Sequence, residues 1–191
     1  MANVMNVRIK VTGNAEALET FWAKLKEYGL HRKTCTTFKE LGDCFGIDMS
    51  QIEDRGELES AWRRKKDGVP VISIDASFKW GYKNDLMEAV NHQTCDGLSI
   101  SYRGAQSGEE LFIVHDEGGF FPEECCVDAY EGPFPYMHNK PFMTVDDAID
   151  CWCRYMRISR EGRSTEEMLR LIEGTPVGEE GYFFINKYER V

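Results

Sequence analysis

The segment from residue 71 to 80 constrains the fold most, because its apolar residues recur at every second position. Ile72, Ile74, Ala76, Phe78 and Trp80 alternate with serine, aspartate and lysine. A period of two places alternate side chains on the same face of a strand, so this segment predicts a strand with one buried face. Such a strand requires a sheet and a second layer that covers its apolar face.

The first thirty residues combine the two periods that distinguish a strand from a helix. Residues 4–11 largely alternate between apolar and polar positions, which predicts a second half-buried strand. From Asn14 to Gly29 the apolar residues recur at steps of three and four, which predicts an amphipathic helix that Asn14 caps and Gly29 ends. Residues 84–115 predict a short helix followed by a hairpin of strands.

Residues 39–68 interrupt this order and are expected to form a helical insertion. Ser50 and Glu53 have the spacing of a capping box at the start of a helix. One apolar stripe follows at helical spacing, and it consists of Leu58, Ala61 and Trp62. The basic residues 63–66 complement the negative end of a helix dipole, so we expect them at the helix C-terminus.

Residues 122–191 predict two further helices and two strands. A strand is expected near residues 125–130, followed by a proline-containing loop, and a final strand near residues 182–185. Two residue pairs have the spacing of helix caps, namely Thr144 with Asp147 and Ser164 with Glu167. Each pair precedes an amphipathic pattern, so each is expected to begin a helix.

The order of these elements predicts the α+β class. Residues 1–121 are expected to form a ferredoxin-like antiparallel sheet with helices on one face, interrupted by the helical insertion at 39–68. Residues 122–191 are expected to add a C-terminal α/β extension, with two helices and a final strand, that packs on the first domain.

The N-terminal part of the chain is similar to a known family. Three features carry the likeness: the opening MANVMNVRIKVTGNAEALETFWAKL, the alternating strand that reaches Phe78, Lys79, Trp80 and Gly81, and the hairpin that ends in HDEGGFF. Together they resemble the YubB-like ferredoxin-like domain family of phages and plasmids over residues 1–121. The resemblance implies a mobile-element protein without an established chemistry, in strategy similar to anti-CRISPR-type inhibitors that cover basic nucleic-acid channels.

The negative charge of the chain is concentrated in one stretch. Residues 104–153 contain eleven acidic residues and one basic residue, Lys140, and so account for the whole net charge of −10. A field of this sign repels phosphate backbones and attracts basic surfaces. One interpretation is that these residues keep the protein soluble. The other is that they form a docking surface for a basic protein that itself handles nucleic acid.

The docking interpretation predicts a non-enzymatic protein that inhibits a basic protein or ribonucleoprotein complex of a host defence system. CRISPR effectors hold guide and target in positively charged channels, which an acidic surface can obstruct. The predicted partner-binding residues are Glu109, Glu110, Asp116, Glu117, Phe120, Phe121, Glu123, Glu124, Asp128, Tyr130 and Glu131. Phe134 and Tyr136 are further candidate anchors, because aromatic side chains dominate the energetics of interfaces. No direct contact with nucleic acid or membrane is expected, and no cofactor.

Two other functions remain open from the sequence. A small hydrolase or metal-dependent enzyme would use His115, which shares a strand face with Glu117 and stands beside Asp116. A nucleic-acid-binding module of ferredoxin-like fold would carry exposed aromatic residues beside basic residues on its open sheet face.

Two groups of residues in the sequence are candidate metal ligands. His31, Cys35 and Cys44 are conceivable zinc ligands, although no second matching pair accompanies them. Asp146 and Asp150 lie one helical turn apart, as a hard cation would require. Seven cysteines without regular spacing favour reduced thiols, and the chain has neither a signal-peptide pattern nor a long apolar run. A cytoplasmic protein is therefore expected.

Overall fold

The computed structural model describes residues 4–27, 29–30, 36–79 and 81–191, which divide into two compact units. The first unit consists of residues 1–121 together with Val191, and the second consists of residues 122–190. Both combine helices with antiparallel strands, which confirms the predicted α+β class. Within the described residues, no helix combines the length and the apolar character needed to cross a membrane.

The first unit is a sheet with helices on one face. Its elements are β1 (Val4–Gly13), α1 (Ala15–Glu27), β2 (Thr36–Thr37), α2 (Phe38–Phe45), a 3-10 turn (Met49–Gln51), β3 (Gly56–Lys66), β4 (Val69–Lys79), α3 (Asp85–Gln93), β5 (Leu98–Gln106), a second 3-10 turn (Ser107–Glu109) and β6 (Leu111–His115). Within this unit the strands lie in the order β6-β5-β1-β4-β3-β2, and each neighbouring pair is antiparallel.

The alternation in the sequence explains how this sheet is covered. The predicted strands are confirmed as β1 and β4, and Ile9 of β1 lies opposite Ile74 of β4 on the buried face. The predicted first helix is confirmed as α1, where Asn14 Oδ1 accepts a hydrogen bond from the Ala17 N–H at 2.8 Å. Phe21 of α1 belongs to the same apolar cluster as these strand residues. The predicted contribution of Trp80 lies outside the described residues.

The segment predicted as a helix after residue 55 is the strand β3, so this part of the helical insertion was predicted wrongly. β3 pairs with β4 across a turn at Asp67 and Gly68, both of which have positive φ angles. A β-bulge between Leu58 and Ser60 shifts the register. Leu58 and Ala61 therefore both face the core although they lie three residues apart. That spacing imitates a helical repeat.

The predicted capping box of the insertion does not form either. Ser50 lies within the first 3-10 turn, whose cap is Asp48, and Glu53 forms an ion pair with Lys83. The helix of this region is α2, which begins at a capping box between Thr37 and Glu40. The basic residues 63–66 consequently lie in a strand and not at the end of a helix.

The second unit is a small sheet with two helices. Its elements are β7 (Cys125–Tyr130), β8 (Met137–Phe142), α4 (Val145–Met156), α5 (Thr165–Gly174), β9 (Tyr182–Lys187) and β10 (Glu189–Arg190). Three of its strands pair in the order β8-β7-β9. Both predicted capping boxes, at Thr144 and at Ser164, are confirmed. β8 occupies part of the predicted loop, and its Pro141 is tolerated because β8 is an edge strand.

Candidate binding surfaces

The eleven predicted partner-binding residues fall into two sets, one in each unit. The first unit contains Glu109, Glu110, Asp116, Glu117, Phe120 and Phe121, and the second contains Glu123, Glu124, Asp128, Tyr130 and Glu131. Although these residues are close together in the sequence, neither unit contains all of them. Each set has its own geometry.

In the first unit, Asp116 organises the loop that follows β6. Its carboxylate accepts hydrogen bonds from the Phe120 N–H and the Phe121 N–H, each at 2.8 Å. Burial opposes ionisation, but the backbone N–H groups of the loop hold the pKa of Asp116 below its ordinary value. Phe121 is only 2% exposed, and its ring centre lies 5.2 Å from the Arg103 guanidinium carbon. The prediction that Phe121 contacts a partner is therefore wrong, because its ring is buried.

His115 and Glu117 lie together, as their spacing predicts. His115 Nε2 is 3.4 Å from Glu117 Oε1, and His115 Nδ1 is 2.8 Å from the backbone carbonyl oxygen of Val191. The other oxygen of the Glu117 carboxylate accepts a hydrogen bond from Ser99 Oγ at 2.7 Å. Both residues are thus held by neighbours in the sheet. Among the described residues, no group of three or more histidine, cysteine, aspartate or glutamate side chains is placed to hold a metal ion.

In the second unit, Asp128 is a buried polar centre. Its carboxylate accepts hydrogen bonds from the Asn139 N–H at 3.0 Å and from Asn186 Nδ2 at 3.2 Å, and it lies 3.0 Å from His138 Nδ1. The residue is 4% exposed, so the prediction that Asp128 contacts a partner is wrong. The neighbouring His138 was not predicted from the sequence, because it reaches Asp128 only through the pairing of β7 with β8, which contains a bulge.

Four aromatic residues of the second unit form an exposed aromatic cluster on the outer face of its sheet. They are Tyr130, Tyr136, Tyr182 and Phe184, with exposed fractions of 43%, 71%, 37% and 57%. The ring centres of Tyr130 and Tyr136 are 6.4 Å apart with the rings nearly perpendicular, and those of Tyr130 and Tyr182 are 6.0 Å apart. Phe184 stacks on Tyr182 at 5.2 Å.

Strand pairing creates this exposed aromatic cluster. Tyr130 of β7 lies opposite Tyr182 of β9, and the next pair on the same face is Asp128 with Phe184. Burial raises the pKa of Tyr182, and the Asp128 carboxylate raises it further, so the Tyr182 hydroxyl remains a neutral hydrogen-bonding group. Tyr130 and Tyr136 were predicted from the sequence, but Tyr182 and Phe184 of β9 were not. The alternation of residues 182–185 was the signal that separates them from the buried Phe183.

Acidic residues border the exposed aromatic cluster. Glu131 follows Tyr130 directly, and Glu179 and Glu180 precede Tyr182 by three and two positions. All three are exposed. Glu124, in contrast, supports the fold, because its carboxylate accepts a hydrogen bond from the Val145 N–H at 3.4 Å at the start of α4.

The candidate metal ligands identified in the sequence do not form a metal site among the described residues. His31 and Cys35 lie outside the described residues, while Cys44 is buried and burial raises its pKa. Asp146 accepts hydrogen bonds from Thr165 Oγ1 at 2.7 Å and from Arg160 Nη2 at 3.0 Å. Because a guanidinium already neutralises this carboxylate, the pairing with Asp150 does not make a cation site.

A cavity of about 840 Å³ lies in the first unit between α2 and the adjoining ends of β3 and β4. Asp54 contributes to its lining. The Asp54 carboxylate accepts hydrogen bonds from the Lys83 N–H at 2.9 Å and the Leu86 N–H at 3.1 Å, so it holds the start of α3. Burial raises the pKa of Asp54 despite these two hydrogen bonds. Asp54 therefore has a structural role in this unit.

Comparison with known proteins identifies a similar solved structure but no matching family. No family model matches it, and no curated protein matches it significantly. Among solved structures, it is similar to the crystal structure of an unknown protein from Galdieria sulphuraria, with 12% identity and a TM-score of 0.26. The match covers 81% of this chain and 64% of the other, so this chain spans less than two thirds of that protein's length. A TM-score this low supports no argument about fold or function.

Proposed function

We propose that this protein is a non-enzymatic inhibitor that binds a basic, nucleic-acid-handling partner. The observation that supports this proposal is the exposed aromatic cluster of Tyr130, Tyr136, Tyr182 and Phe184 in the second unit. Neighbouring exposed aromatic rings are uncommon on surfaces without a partner, and tyrosine is enriched among the residues that dominate binding energy.

The chemistry of the cluster favours a cationic partner. The perpendicular rings of Tyr130 and Tyr136 form a corner whose faces attract an arginine or lysine side chain. The exposed carboxylates of Glu131, Glu179 and Glu180 add attraction at the border. A net charge of −10 accelerates encounter with a basic surface over distances of roughly one Debye length, about 8 Å in physiological salt.

The class of partner follows from this preference for cations. Proteins that handle nucleic acid expose basic channels, and a guide-loaded CRISPR effector is one such ribonucleoprotein. An acidic protein that occupies the channel competes with target DNA. This agrees with the resemblance of residues 1–121 to a phage and plasmid family and makes the protein anti-CRISPR-like.

The first unit can also be assigned a more specific fold within the α+β class. We infer a ferredoxin-like core from β1, α1, β3, β4, α3 and β5, because this is the order strand, helix, strand, strand, helix, strand. In the sheet these four strands lie in the order β5-β1-β4-β3. β2 and α2 form an insertion, and β6 extends the sheet at its other edge.

The test measures target-DNA binding by a purified, guide-loaded CRISPR effector as the protein is added. We expect the protein to weaken target binding by at least about tenfold, and we expect Tyr136→Ala to remove most of this effect because truncating an anchor costs about 2 kcal/mol or more. Met143→Ala is the matched control, since Met143 is 54% exposed in the same unit but lies outside the cluster. Equal inhibition by both variants would contradict the role of the cluster, and unaffected target binding would contradict inhibition of this effector class.

A further inference from the structure

The face of the first sheet that turns away from α1, α2 and α3 carries a cluster of cations. The exposed positions of β1 alternate with its core positions, and Arg8 and Lys10 occupy two of them. Strand pairing places Arg103 of β5 directly opposite Arg8. On the other side of β1, Ser73 of β4 lies opposite Lys10, and Lys10 Nζ donates a hydrogen bond to Ser73 Oγ at 2.8 Å.

Strand β3 continues this face. Trp62 lies opposite Ser73, and Arg64 follows two residues later on the same side of the strand. The cationic face is defined by Arg8, Lys10, Arg64 and Arg103. Arg64 lies on this face because residues 56–66 form a strand paired with β4 and not the predicted helix.

The cations of this face lie close enough to affect one another. Burial lowers the pKa of Lys10, and the positive charges of the three arginines lower it further. Asp75 offsets part of this charge, because its Oδ1 accepts a hydrogen bond from Arg8 Nε at 2.7 Å. The Asp116 carboxylate also lies beside this face, because it is hydrogen-bonded to Ser101, which lies opposite Lys10. Glu57 lies opposite Ser77, and Glu117 accepts a hydrogen bond from Ser99. The four cations face two central carboxylates, those of Asp75 and Asp116, so an excess of positive charge remains.

Aromatic rings accompany the cationic face. The centre of the Trp62 ring lies 5.7 Å from Lys10 Nζ, and the ring is half-buried, so part of it stays accessible. Phe120 is also half-buried, and the centre of its ring lies 4.5 Å from Lys66 Nζ. Lys66 Nζ additionally donates a hydrogen bond to the Gly119 carbonyl oxygen at 2.8 Å, which holds the loop carrying Phe120 against β3.

We propose that the cationic face binds a single-stranded nucleic acid, with its phosphates on Arg8, Lys10, Arg64 and Arg103 and its bases against Trp62 and Phe120. Proteins that bind single strands combine a positively charged track for the backbone with aromatic rings on which bases stack, and this face supplies both. The inference does not rest on the proposed inhibitor function, because the residues that carry it belong to the first unit and those of the exposed aromatic cluster to the second.

The negative net charge of the chain predicts that the protein does not contact nucleic acid directly. That expectation came from residues 104–153, whereas the positive charge of the cationic face comes from strands β1, β3 and β5. The helices α1, α2 and α3 have a net negative charge, because they contain seven acidic residues and three lysines. A neutral sequence segment is therefore divided into two surfaces of opposite sign.

The test is fluorescence anisotropy with labelled RNA and DNA single strands of about 12 nucleotides, a length that spans a typical binding site. If all four cations contact phosphates, the logarithm of the association constant falls with the logarithm of salt concentration with a slope of about −2.8. The double variant Arg8→Gln/Arg64→Gln is expected to bind about tenfold more weakly and to reduce the magnitude of the slope by about 1.4. Trp62→Leu is expected to bind about tenfold more weakly. The RNA and DNA arms decide which backbone is preferred.

The matched control is Lys26→Gln/Lys39→Gln, which removes the same charge from exposed positions on α1 and α2. It is expected to bind like the wild type. Equal losses in the two double variants, an absence of binding near 50 mM salt, or equally tight binding of a duplex of the same length would each overturn the proposal. Circular dichroism checks that the variants are folded, and Arg64→Gln alone, at an exposed position, repeats the test if the double variant unfolds.

Discussion

Thr144 and Asp147 exchange hydrogen bonds at the start of α4. The Asp147 N–H donates to Thr144 Oγ1 at 3.0 Å, and the Thr144 N–H donates to Asp147 Oδ2 at 3.0 Å. Thr144→Ala removes the first of these acceptors, so we expect the second unit to lose about 1 kcal/mol of unfolding free energy. Urea denaturation measures this loss. Thr144→Ser keeps the hydroxyl and should remain close to the wild type, and an unchanged stability of Thr144→Ala would show that the cap does not contribute.

Gly68 has a φ angle of 84° in the turn between β3 and β4. A Cβ atom added at this position meets no atom within 4 Å, so an alanine substitution tests the backbone conformation alone. We expect Gly68→Ala to destabilise the first unit by about 1 kcal/mol, because a left-handed conformation is unfavourable for alanine. Gly174→Ala is the control: it also meets open space but lies at the end of α5, where alanine is neutral or stabilising. If both substitutions changed the unfolding free energy equally, the left-handed conformation of Gly68 would not be the cause of the loss.

Asp54 holds the start of α3 from a distant loop. Asp54→Ala leaves the N–H groups of Lys83 and Leu86 without this acceptor, so we expect a loss of about 1 to 2 kcal/mol in unfolding free energy. Burial raises the pKa of Asp54 above its ordinary value of 3.8, so folding favours the protonated carboxyl group relative to the unfolded chain.

The pH dependence of this loss has a definite sign. The part of the stability that comes from the raised pKa is fully present below pH 3.8 and is lost as pH rises through the folded-state pKa. The advantage of the wild type over Asp54→Ala should therefore be larger at pH 4 than at pH 7. Urea denaturation at both pH values measures it, and a larger advantage at pH 7 would show that the hydrogen bonds outweigh burial.

Cysteine reactivity separates the exposed thiols from the buried ones. Burial raises the pKa of Cys125 to about 12, so almost no thiolate is present at pH 8, whereas Cys95 is exposed. We expect iodoacetamide to modify Cys95 rapidly in the native protein and Cys125 only after unfolding. Peptide mass spectrometry follows both sites, and labelling in denaturant provides the control. Equal rates at the two sites in native protein would contradict the burial of β7.

The parts of the fold that the sequence predicted well are those in which local pattern and tertiary contacts agree. β1, α1, β4 and the two capped helices of the second unit each have an unbroken period and a cap or stop signal. β3 failed because its bulge places Leu58 and Ala61 three residues apart. The Asp67 and Gly68 pair was a hairpin signal that outweighed the apolar stripe, since this dipeptide favours the positive φ angles of a two-residue turn.

The candidate surfaces were harder to predict, because each depends on strand pairing between distant segments. Asp116 and Asp128 belong to the same acidic stretch of sequence, but they accept backbone hydrogen bonds in different units, and only Asp128 is buried. Tyr182 joins Tyr130 only through the β7 and β9 register, and Arg64 joins Arg8 only through β4. Composition gives the amount of charge but not the face on which it lies.

The two faces of the central strand β7 allow different kinds of substitution during evolution. Val127 and Ala129 point to the helices and are fully buried, whereas Tyr130 points to the opposite face. Substitutions at the exposed positions of the outer face, such as Tyr130, can therefore alter what this face recognises while the packing that keeps the unit folded stays the same. A lineage under pressure to follow a changing partner can vary Tyr130 and its neighbours on β9 without first acquiring compensating changes in the core.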